Sequence, residues 1–393
     1  MKKLLFVHDH IFIRDQVGDV FSPGGFPSEL WGKYLNHFDF IRSVGRCAGK
    51  VENASDKYVK SSCDKVEFTF VERISSPRNL LKNFRNVNYK IEQLVLESDC
   101  VIARLPSENG LLAVKLAKKL NKPLCVEVVG CAWDGLFNYG TLTGKIYAPL
   151  AFMRMKKAVK QASHVLYVTN CFLQKRYPAN HDAEVVSVSN VSIAVKEDHY
   201  PTDKYAHSKN KFVFGLIGNY KTKYKGIHFA IEALSLVDFK SFGVDFEFRV
   251  LGKGQPEEYQ RQAKKLGIDN KVFFDAPLPS GEPVHKWLDD IDIYIQPSLQ
   301  EGLPRALIES MSRGCVAIGS SAGGIPELLN DNYIHKAGSV SGLVKNIRYV
   351  LSTKDDLSAN SLRNFRESLK YDSNTISTKR HAFFKSFSSN VKI

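Results

Sequence analysis

Little in this chain suits a fold held by covalent or metal staples. Its seven cysteines (Cys47, Cys63, Cys100, Cys125, Cys131, Cys171, Cys315) are odd in number, widely spaced and free of any C-x-x-C pair. That argues against a disulfide framework and a thiolate zinc site, and leaves core filling as the reading for most of them. No stretch approaches the roughly 18–20 apolar residues of a spanning helix. Met1-Lys2-Lys3 runs straight into a strand-like LLFVH, unlike a signal peptide, so a cytoplasmic protein is expected. With 26 Gly and 15 Pro in 393 residues, a collagenous or low-complexity chain is excluded, and no repeat of 20–50 residues is evident. Acid is also in deficit: 41 Asp and Glu face 55 Lys and Arg, a formal charge of +14. Such a balance favours an anionic partner, whether nucleic acid, an acidic membrane surface or a phosphorylated small molecule. A zinc pattern, an aromatic RNA-binding signature and a recognition helix are all missing, so nucleic acid is set aside.

What is present is alternation. Short apolar runs at 4–7, 66–71, 100–105, 123–129 and 164–169 are separated by helical patterns, and the same holds for 212–218, 246–252, 271–274, 291–297 and 315–320. This is the pattern of parallel sheets covered by helices on both faces. Residues 196–211 (KEDHYPTDKYAHSKNK) are polar and read as a linker. The expected organisation is an N-terminal doubly wound domain over 1–198, a linker at 199–211, a second doubly wound domain over 212–370, and a last helix in 371–393 crossing back to the first. Two such Rossmann-like domains facing each other would bind a ligand in the cleft at the carboxyl ends of their strands.

The most informative segment is PSLQEGLPRALIESMSRGCVAIGSSAGGIPELL, residues 297–329. After the strand, the turn Gly302-Leu303 leads to Pro304, which suits the first helical position. No Ser, Thr, Asp or Asn stands at the expected cap, so the amides of Arg305, Ala306 and Leu307 lack a side-chain partner, and a phosphate is the expected ligand. Glu301 and Glu309 bracket the turn. On one helix their Cα atoms would lie roughly 12 Å apart at ~1.5 Å per residue, beyond the ~5–9.5 Å of paired glycosidase carboxylates. With Glu301 in the loop and Glu309 in the helix, they could hold different hydroxyls of one extended ligand. Spacing alone equally allows a surface Glu and a helix-solvating Glu.

The run Glu301–Glu309, preceded by Pro297-Ser298 and followed by Gly314, Gly323, Gly324, Pro326 and Glu327, resembles the Glu-x7-Glu signature of retaining glycosyltransferases of family 4, which have the two-Rossmann GT-B fold. The resemblance covers the second domain well and the first in outline. It implies that Glu301 contacts sugar hydroxyls of a nucleotide-sugar donor and that Glu309 binds the nucleotide ribose. A second matching segment is LIGNYKTKYKGIHFAIEAL, residues 216–234, with Gly218, a basic loop, and Lys225-Gly226 opening a helix. Lysines here could neutralise a departing diphosphate, a role needing no metal and no other cofactor. Lys225 matches the family's Lys, but Asn219 stands where the family has an Arg; Lys221 or Lys223 is the candidate substitute.

In the first domain, a long loop is expected after strand 4–7, with Gly24 and Gly25 giving a ligand close approach to the backbone. It is not G-x-G-x-x-G, so a dinucleotide fingerprint is absent. His8, Asp9 and His10 near the strand end are acceptor-site candidates, His10 foremost, beside the alternative of structural histidines. Residues 127–139 (EVVGCAWDGLFNY) form an expected loop in which Trp133, Phe137 and Tyr139 could stack on sugar and Asp134 accept an acceptor hydroxyl; aromatic packing is the plainer reading. Residues 145–176 hold seven basic and no acidic side chains interleaved with apolar ones, the pattern of a helix lying on an anionic bilayer or of a solvated basic helix. The resemblance, taken with these features, implies transfer of a hexose-type sugar, with a UDP-sugar favoured as donor, to a lipid-linked or free glycan acceptor in bacterial surface-polysaccharide assembly (capsule, exopolysaccharide or O-antigen). The competing class is a GT-B-like sugar-nucleotide epimerase or a non-catalytic binding protein.

Overall fold

The computed structural model describes residues 1–391 except 203, 206 and 208. The chain divides into two units: Met1–Trp133, Tyr147–Val188 and Ser377–Ile393 form the first, Asp134–Ile146 and Ser189–Ile376 the second. Both are mixed α/β units built on a mainly parallel sheet.

In unit 1 the elements are β1 (Lys3–Arg14), β2 (Val20–Ser22), α1 (Glu29–Leu35), β3 (Phe40–Lys50), β4 (Val59–Lys60), β5 (Val66–Phe70), α2 (Pro77–Leu96), β6 (Cys100–Leu105), α3 (Glu108–Lys119), β7 (Leu124–Val128), α4 (Ala132–Phe137), α5 (Leu142–Val159), β8 (His164–Tyr167), α6 (Phe172–Arg176) and β9 (Glu184–Ser187), with α4 and the start of α5 counted in unit 2. The strands pair in the order β5-β3-β1-β6-β7-β8-β9, all parallel, with β2 and β4 added antiparallel at the end of β1. Apolar side chains fix this arrangement. Leu4, Leu5, Phe6 and Val7 are fully buried between β3 and β6, and Phe6 packs edge-on against Trp31 of α1 at 5.5 Å.

Unit 2 contains β10 (Lys211–Ile217), α7 (Ile227–Ser235), β11 (Asp245–Leu251), α8 (Glu257–Lys265), β12 (Val272–Asp275), α9 (Glu282–Asp289), β13 (Ile293–Gln296), α10 (Arg305–Ser312), β14 (Val316–Ser320), β15 (Ile334–His335), α11 (Val340–Ser352) and α12 (Leu357–Ser368). Its sheet order is β12-β11-β10-β13-β14-β15, parallel throughout. Strands buried on both faces explain the unbroken apolar runs IYI and VAI. In both sheets the order reverses beside the first strand, at β1/β6 and at β10/β13, the doubly wound topology whose switch point is the usual ligand site. A last helix, α13 (Ser373–Ser389), belongs to unit 1 from Ser377 on and buries Phe383, Phe384 and Phe387, with Phe384 5.2 Å from Tyr34.

Several boundaries differ from the sequence reading. The units divide at Val188/Ser189 rather than at 198, and residues 134–146 group with unit 2. Residues 199–211 are not a free linker. Lys204 Nζ donates to the carbonyls of Leu288 (3.1 Å) and Arg313 (3.0 Å), and the Tyr205 hydroxyl accepts from Val316 N at 2.9 Å. These side chains cap strand and helix ends of unit 2, a task that leaves no apolar stripe to read. Three positions of that segment and the last two of 371–393 lie outside the described residues. β2, β3, β4, β9 and β15 have no counterpart among the runs read from the sequence; β3 carries Arg42, Arg46 and Gly45 among its apolar residues, and β2, β4 and β15 are only two or three residues long.

Candidate active site

In unit 2, the loops after β10 and β13 meet at the switch point. Lys225 follows β10, Glu301 follows β13, and Nζ lies 2.7 Å from Oε1. Two glycines let the loops come this close. Gly226 has φ of 76°, and a Cβ there would sit 2.2 Å from the Pro297 carbonyl oxygen; Gly323 has φ of 57°, and a Cβ there would sit 2.2 Å from the Glu301 carbonyl oxygen. The Leu299 amide donates to the Tyr224 carbonyl at 2.7 Å, tying the loops together.

Glu301 is held by more than Lys225. Its Oε1 also accepts from Ser298 Oγ at 2.7 Å and Gln296 Nε2 at 2.9 Å, while Gln296 Nε2 reaches Ser298 Oγ at 2.8 Å. Gln296 Oε1 accepts from the Tyr294 hydroxyl at 3.1 Å, and that hydroxyl accepts from Ile217 N at 3.2 Å. Burial drives the Tyr294 pKa up, helped by the nearby carboxylates Glu301 and Glu309. All three bonds fall on Oε1, so Glu301 Oε2 has no partner among the described residues. Two further N–H bonds of the Lys225 ammonium remain to be made. Tyr294, Gln296 and Ser298 were not candidates from sequence; the available signal was a glutamine closing an otherwise apolar buried strand.

Pro304 stands at the cap of α10 in an extended conformation, with φ −76° and ψ 114°, and Arg305 is the first helical residue. This corrects the expectation of Pro304 as the first helical residue. A cap residue's own N–H makes no helical bond either, so its absence costs nothing at this position. No side chain caps the helix, which leaves the Arg305, Ala306 and Leu307 amides without a side-chain acceptor. Gly302 and Leu303 are half-buried, and the Gly302 carbonyl accepts from Gly324 N at 2.7 Å. Glu309 is buried inside α10, and that burial raises its carboxyl pKa against the opposing pull of Arg305, whose Nη1 is 3.7 Å away.

The basic loop divides. Asn219 Oδ1 accepts from Lys221 N at 2.9 Å, so Asn219 shapes the turn and carries no charge. Lys223 is paired with Glu258 at 2.7 Å, both side chains exposed. Lys221 is exposed and forms no ion pair among the described residues. Gly218 is buried, and a Cβ there would lie 3.2 Å from Lys225 Cβ.

The unit 1 candidates sit differently from expectation. The long loop after residue 7 is mostly strand: β1 continues to Arg14 and β2 folds back on it. His8, Asp9 and His10 are therefore inside β1. Asp9 accepts from the Glu108 and Asn109 amides at 2.7 and 3.1 Å, which makes it a cap for α3. His10 Nε2 lies 2.8 Å from Ser22 Oγ, which donates to the Gly24 carbonyl at 2.6 Å. With that proton committed, Nε2 is the donor and His10 Nδ1 keeps its lone pair. Burial and the cations Arg104 and Arg46 lower the His10 pKa to about 4, so the ring is neutral near pH 7. Gly24 and Gly25 both have positive φ and open space where a Cβ would stand. Trp133 and Asp134 are in the short helix α4 rather than a loop, and Trp133 packs edge-on against Phe152 at 6.3 Å. Residues 145–176 are not one helix: α5, the buried strand β8 and α6 share them. Among the described residues, no three His, Cys, Asp or Glu side chains are grouped to hold a metal ion, and no helix is long and apolar enough to cross a membrane.

Comparison with known proteins gives the family and the fold. Residues 211–353, which contain both loops and α10, match the family described as Glycosyl transferases group 1. The chain is 32% identical to protein CapJ of Staphylococcus aureus over 381 residues, covering 96% of this chain and 94% of CapJ. The chain belongs to the CapJ family. It is a glycosyltransferase with a group 1 domain. A segment of 117 residues is 34% identical to the putative colanic acid biosynthesis glycosyltransferase WcaL of Salmonella typhimurium, 28% of each chain. Among solved structures, HepE of Anabaena in complex with UDP superposes with a TM-score of 0.64 at 16% identity, over 96% of this chain and 98% of that one. The fold of this CapJ relative is GT-B.

Proposed function

We propose that this CapJ-family chain is a retaining glycosyltransferase of family 4 that moves a hexose from a nucleotide-sugar, a UDP-sugar foremost, to a glycan acceptor, free or lipid-linked, in surface-polysaccharide assembly. The observation that carries the reading is the meeting of Lys225, Glu301 and the uncapped start of α10 at the β10/β13 switch point. A cation and unused backbone N–H groups suit a diphosphate, and a carboxylate with one open oxygen suits a sugar hydroxyl. The names of relatives agree: WcaL is a putative colanic acid biosynthesis glycosyltransferase, and HepE was solved in complex with UDP.

In this reading Lys225 and the Arg305–Leu307 amides hold the diphosphate, Glu301 Oε2 takes a donor-sugar hydroxyl, and Glu309 takes the ribose. Gly218, Gly302, Leu303 and Pro304 shape the pocket wall, and Lys221 adds charge. The bond from the anomeric carbon to the diphosphate breaks, and the acceptor oxygen bonds to that carbon from the same face. Its proton passes to the departing phosphate oxygen, whose growing charge Lys225 and the amides stabilise. The protein supplies no nucleophile, and the charge is met without a metal. His10, Trp133 and Asp134 serve the acceptor, and Gly24-Gly25 the donor. The protein works in the cytoplasm, at the inner face of the membrane. Of residues 145–176, the outward side of α5, with Ile146, Leu150 and Met153 exposed, is the part suited to a bilayer.

The test is thermal unfolding with UDP, GDP, ADP and CMP in excess, followed by a product assay with the matching nucleotide-sugars in EDTA. A ligand at ~100 times its Kd adds about 2.7 kcal/mol. A shift with UDP, a product of retained configuration and activity in EDTA are expected. No product with any nucleotide-sugar, or an inverted one, would overturn the reading.

A further inference from the structure

Unit 1 holds an arginine with an open fork. Arg46 lies in β3 beside β1, half-buried, and its Nε donates to the Asp9 carbonyl at 2.8 Å. That bond fixes the guanidinium, yet Nη1 and Nη2 have no acceptor among the described residues. The nearby acids are committed elsewhere. Asp9 takes the Glu108 and Asn109 amides on its carboxylate. Glu127 accepts from the buried Tyr34 hydroxyl at 2.7 Å and faces Arg104 Nη1 at 3.6 Å. With Arg104 set against Glu127, Arg46 is the cation left over at this spot. Phe26 joins the neighbouring groups: its ring lies 4.4 Å from that of His10 and 5.4 Å from Arg104 Cζ. Burial first, then Arg104 and Arg46, lower the pKa of both His8 and His10, and no carboxylate opposes them.

An arginine held at Nε with its fork open is prepared for an oxyanion, because two parallel N–H bonds match that geometry. An arginine that only props a strand uses its fork within the fold, as Arg42 does earlier in β3, where it donates to Glu67 and Glu97. A simple inorganic anion would occupy the Arg46 fork and leave the Nδ1 lone pair of His10 idle. A ligand that serves both groups carries an anion and a hydroxyl, as an acidic sugar does. One unmatched cation suits a singly charged carboxylate better than a phosphate, whose charge is roughly −1.5 to −2 near neutral pH.

We propose that the acceptor sugar is a uronic acid and that Arg46 selects it. The sugar's carboxylate lies on the Arg46 fork, one of its hydroxyls donates to His10 Nδ1, and Arg104 adds attraction from the far side of Phe26. Arg46 is thus a specificity residue, and a neutral hexose is a poorer acceptor. The proposal rests on the reading of this chain as a glycosyltransferase whose acceptor reaches His10.

The experiment is saturation-transfer NMR of the full chain with glucuronate, glucose and glucose 6-phosphate, three probes that differ only at one carbon, with UDP in excess to fill the diphosphate site. Glucuronate should bind more tightly than the other two, and its affinity should fall about tenfold in Arg46→Gln, which removes the charge and the fork. Arg46→Lys keeps the charge without the fork and should recover only part; it also keeps the test open if Arg46→Gln melts early. UDP affinity, titrated on the same samples, should match the wild type in both variants. The proposal is overturned if the three sugars bind alike, if glucose 6-phosphate binds best, or if both variants bind glucuronate as the wild type does. It is equally overturned if UDP affinity falls along with glucuronate affinity, which would assign Arg46 to the donor phosphates. Wild-type protein that binds glucuronate but not UDP would remove the donor reading and leave the acidic-sugar site standing.

Discussion

Lys225 Nζ and Glu301 Oε1 are 2.7 Å apart across 76 residues of chain. Two strands adjacent in the sheet, β10 and β13, deliver them from opposite sides of the switch point. Each is the other's counter-ion before any ligand arrives, so the lysine is already aimed when a diphosphate enters. Lys225→Ala should lower kcat/KM by about 10²–10³, the usual effect of removing one preorganised donor from a developing anion. Lys225→Arg should recover only part, because a planar fork does not replace a compact ammonium. Steady-state kinetics decide it, and wild-type turnover in Lys225→Ala would remove the lysine from the chemistry.

Gln296 and Ser298 act through Glu301. Both are completely buried, and both donate to its Oε1. Losing either donor frees the carboxylate to turn away from Lys225 and from a ligand. Ser298→Ala and Gln296→Leu should raise the donor KM more than they lower kcat, and Ser298→Thr should restore it. An unchanged KM in both variants would mean that these residues only pack.

This network shows what was legible beforehand and what was not. Strand periodicity revealed β10 and β13, and the spacing of Glu301 and Glu309 around Gly302-Leu303-Pro304 separated a loop carboxylate from a helical one. Pairing between distant loops has no local signature, so nothing in KYKG said that Lys225 would meet Glu301. Unit 1 was harder for a related reason. β1 runs on through HDHIFIR, a polar stretch that resembles a loop, because its second half pairs with β2 and β3 and packs His10 against Phe26 at 4.4 Å. Tertiary pairing overrides propensity there. The basic segment 145–176 failed as a single helix because the buried run HVLY inside it is a strand, flanked by lysines that composition averaged away.

Glu309 is buried with its pKa raised, opposed only in part by Arg305. If it holds the ribose as a carboxylate, donor affinity should fall on acidification sooner than an ordinary glutamate would require. Glu309→Gln should weaken UDP binding about tenfold, near 1.4 kcal/mol, and flatten that pH dependence. Calorimetric titration with UDP reads both. Equal affinity and an equal pH profile in the variant would exclude the ribose contact.

Gly226 joins the diphosphate loop to α7. An alanine there must adopt φ near 76° and place its Cβ 2.2 Å from the Pro297 carbonyl oxygen, which is backbone and cannot rotate away. Gly226→Ala should cost roughly 3 kcal/mol or more, read as a lowered urea midpoint. Gly243 also has positive φ but has open space where a Cβ would stand, so Gly243→Ala should cost less. Equal midpoints for the two variants would refute the contact-based argument.

His37 faces His381 of α13 at 4.6 Å, and burial, His381 and Lys385 lower its pKa to about 4. His335, buried in unit 2, is lowered to about 4 as well. Between about pH 6.5 and pH 4 the unfolded chain binds protons at these positions that the folded chain refuses. Stability is therefore full above about pH 6.5 and declines as pH falls through that window. His37→Gln removes one refused proton, so its urea midpoint should drop less than the wild type's between ~pH 7 and ~pH 5. If the variant keeps the wild-type slope, the contact of His37 with the C-terminal helix is not where acid acts.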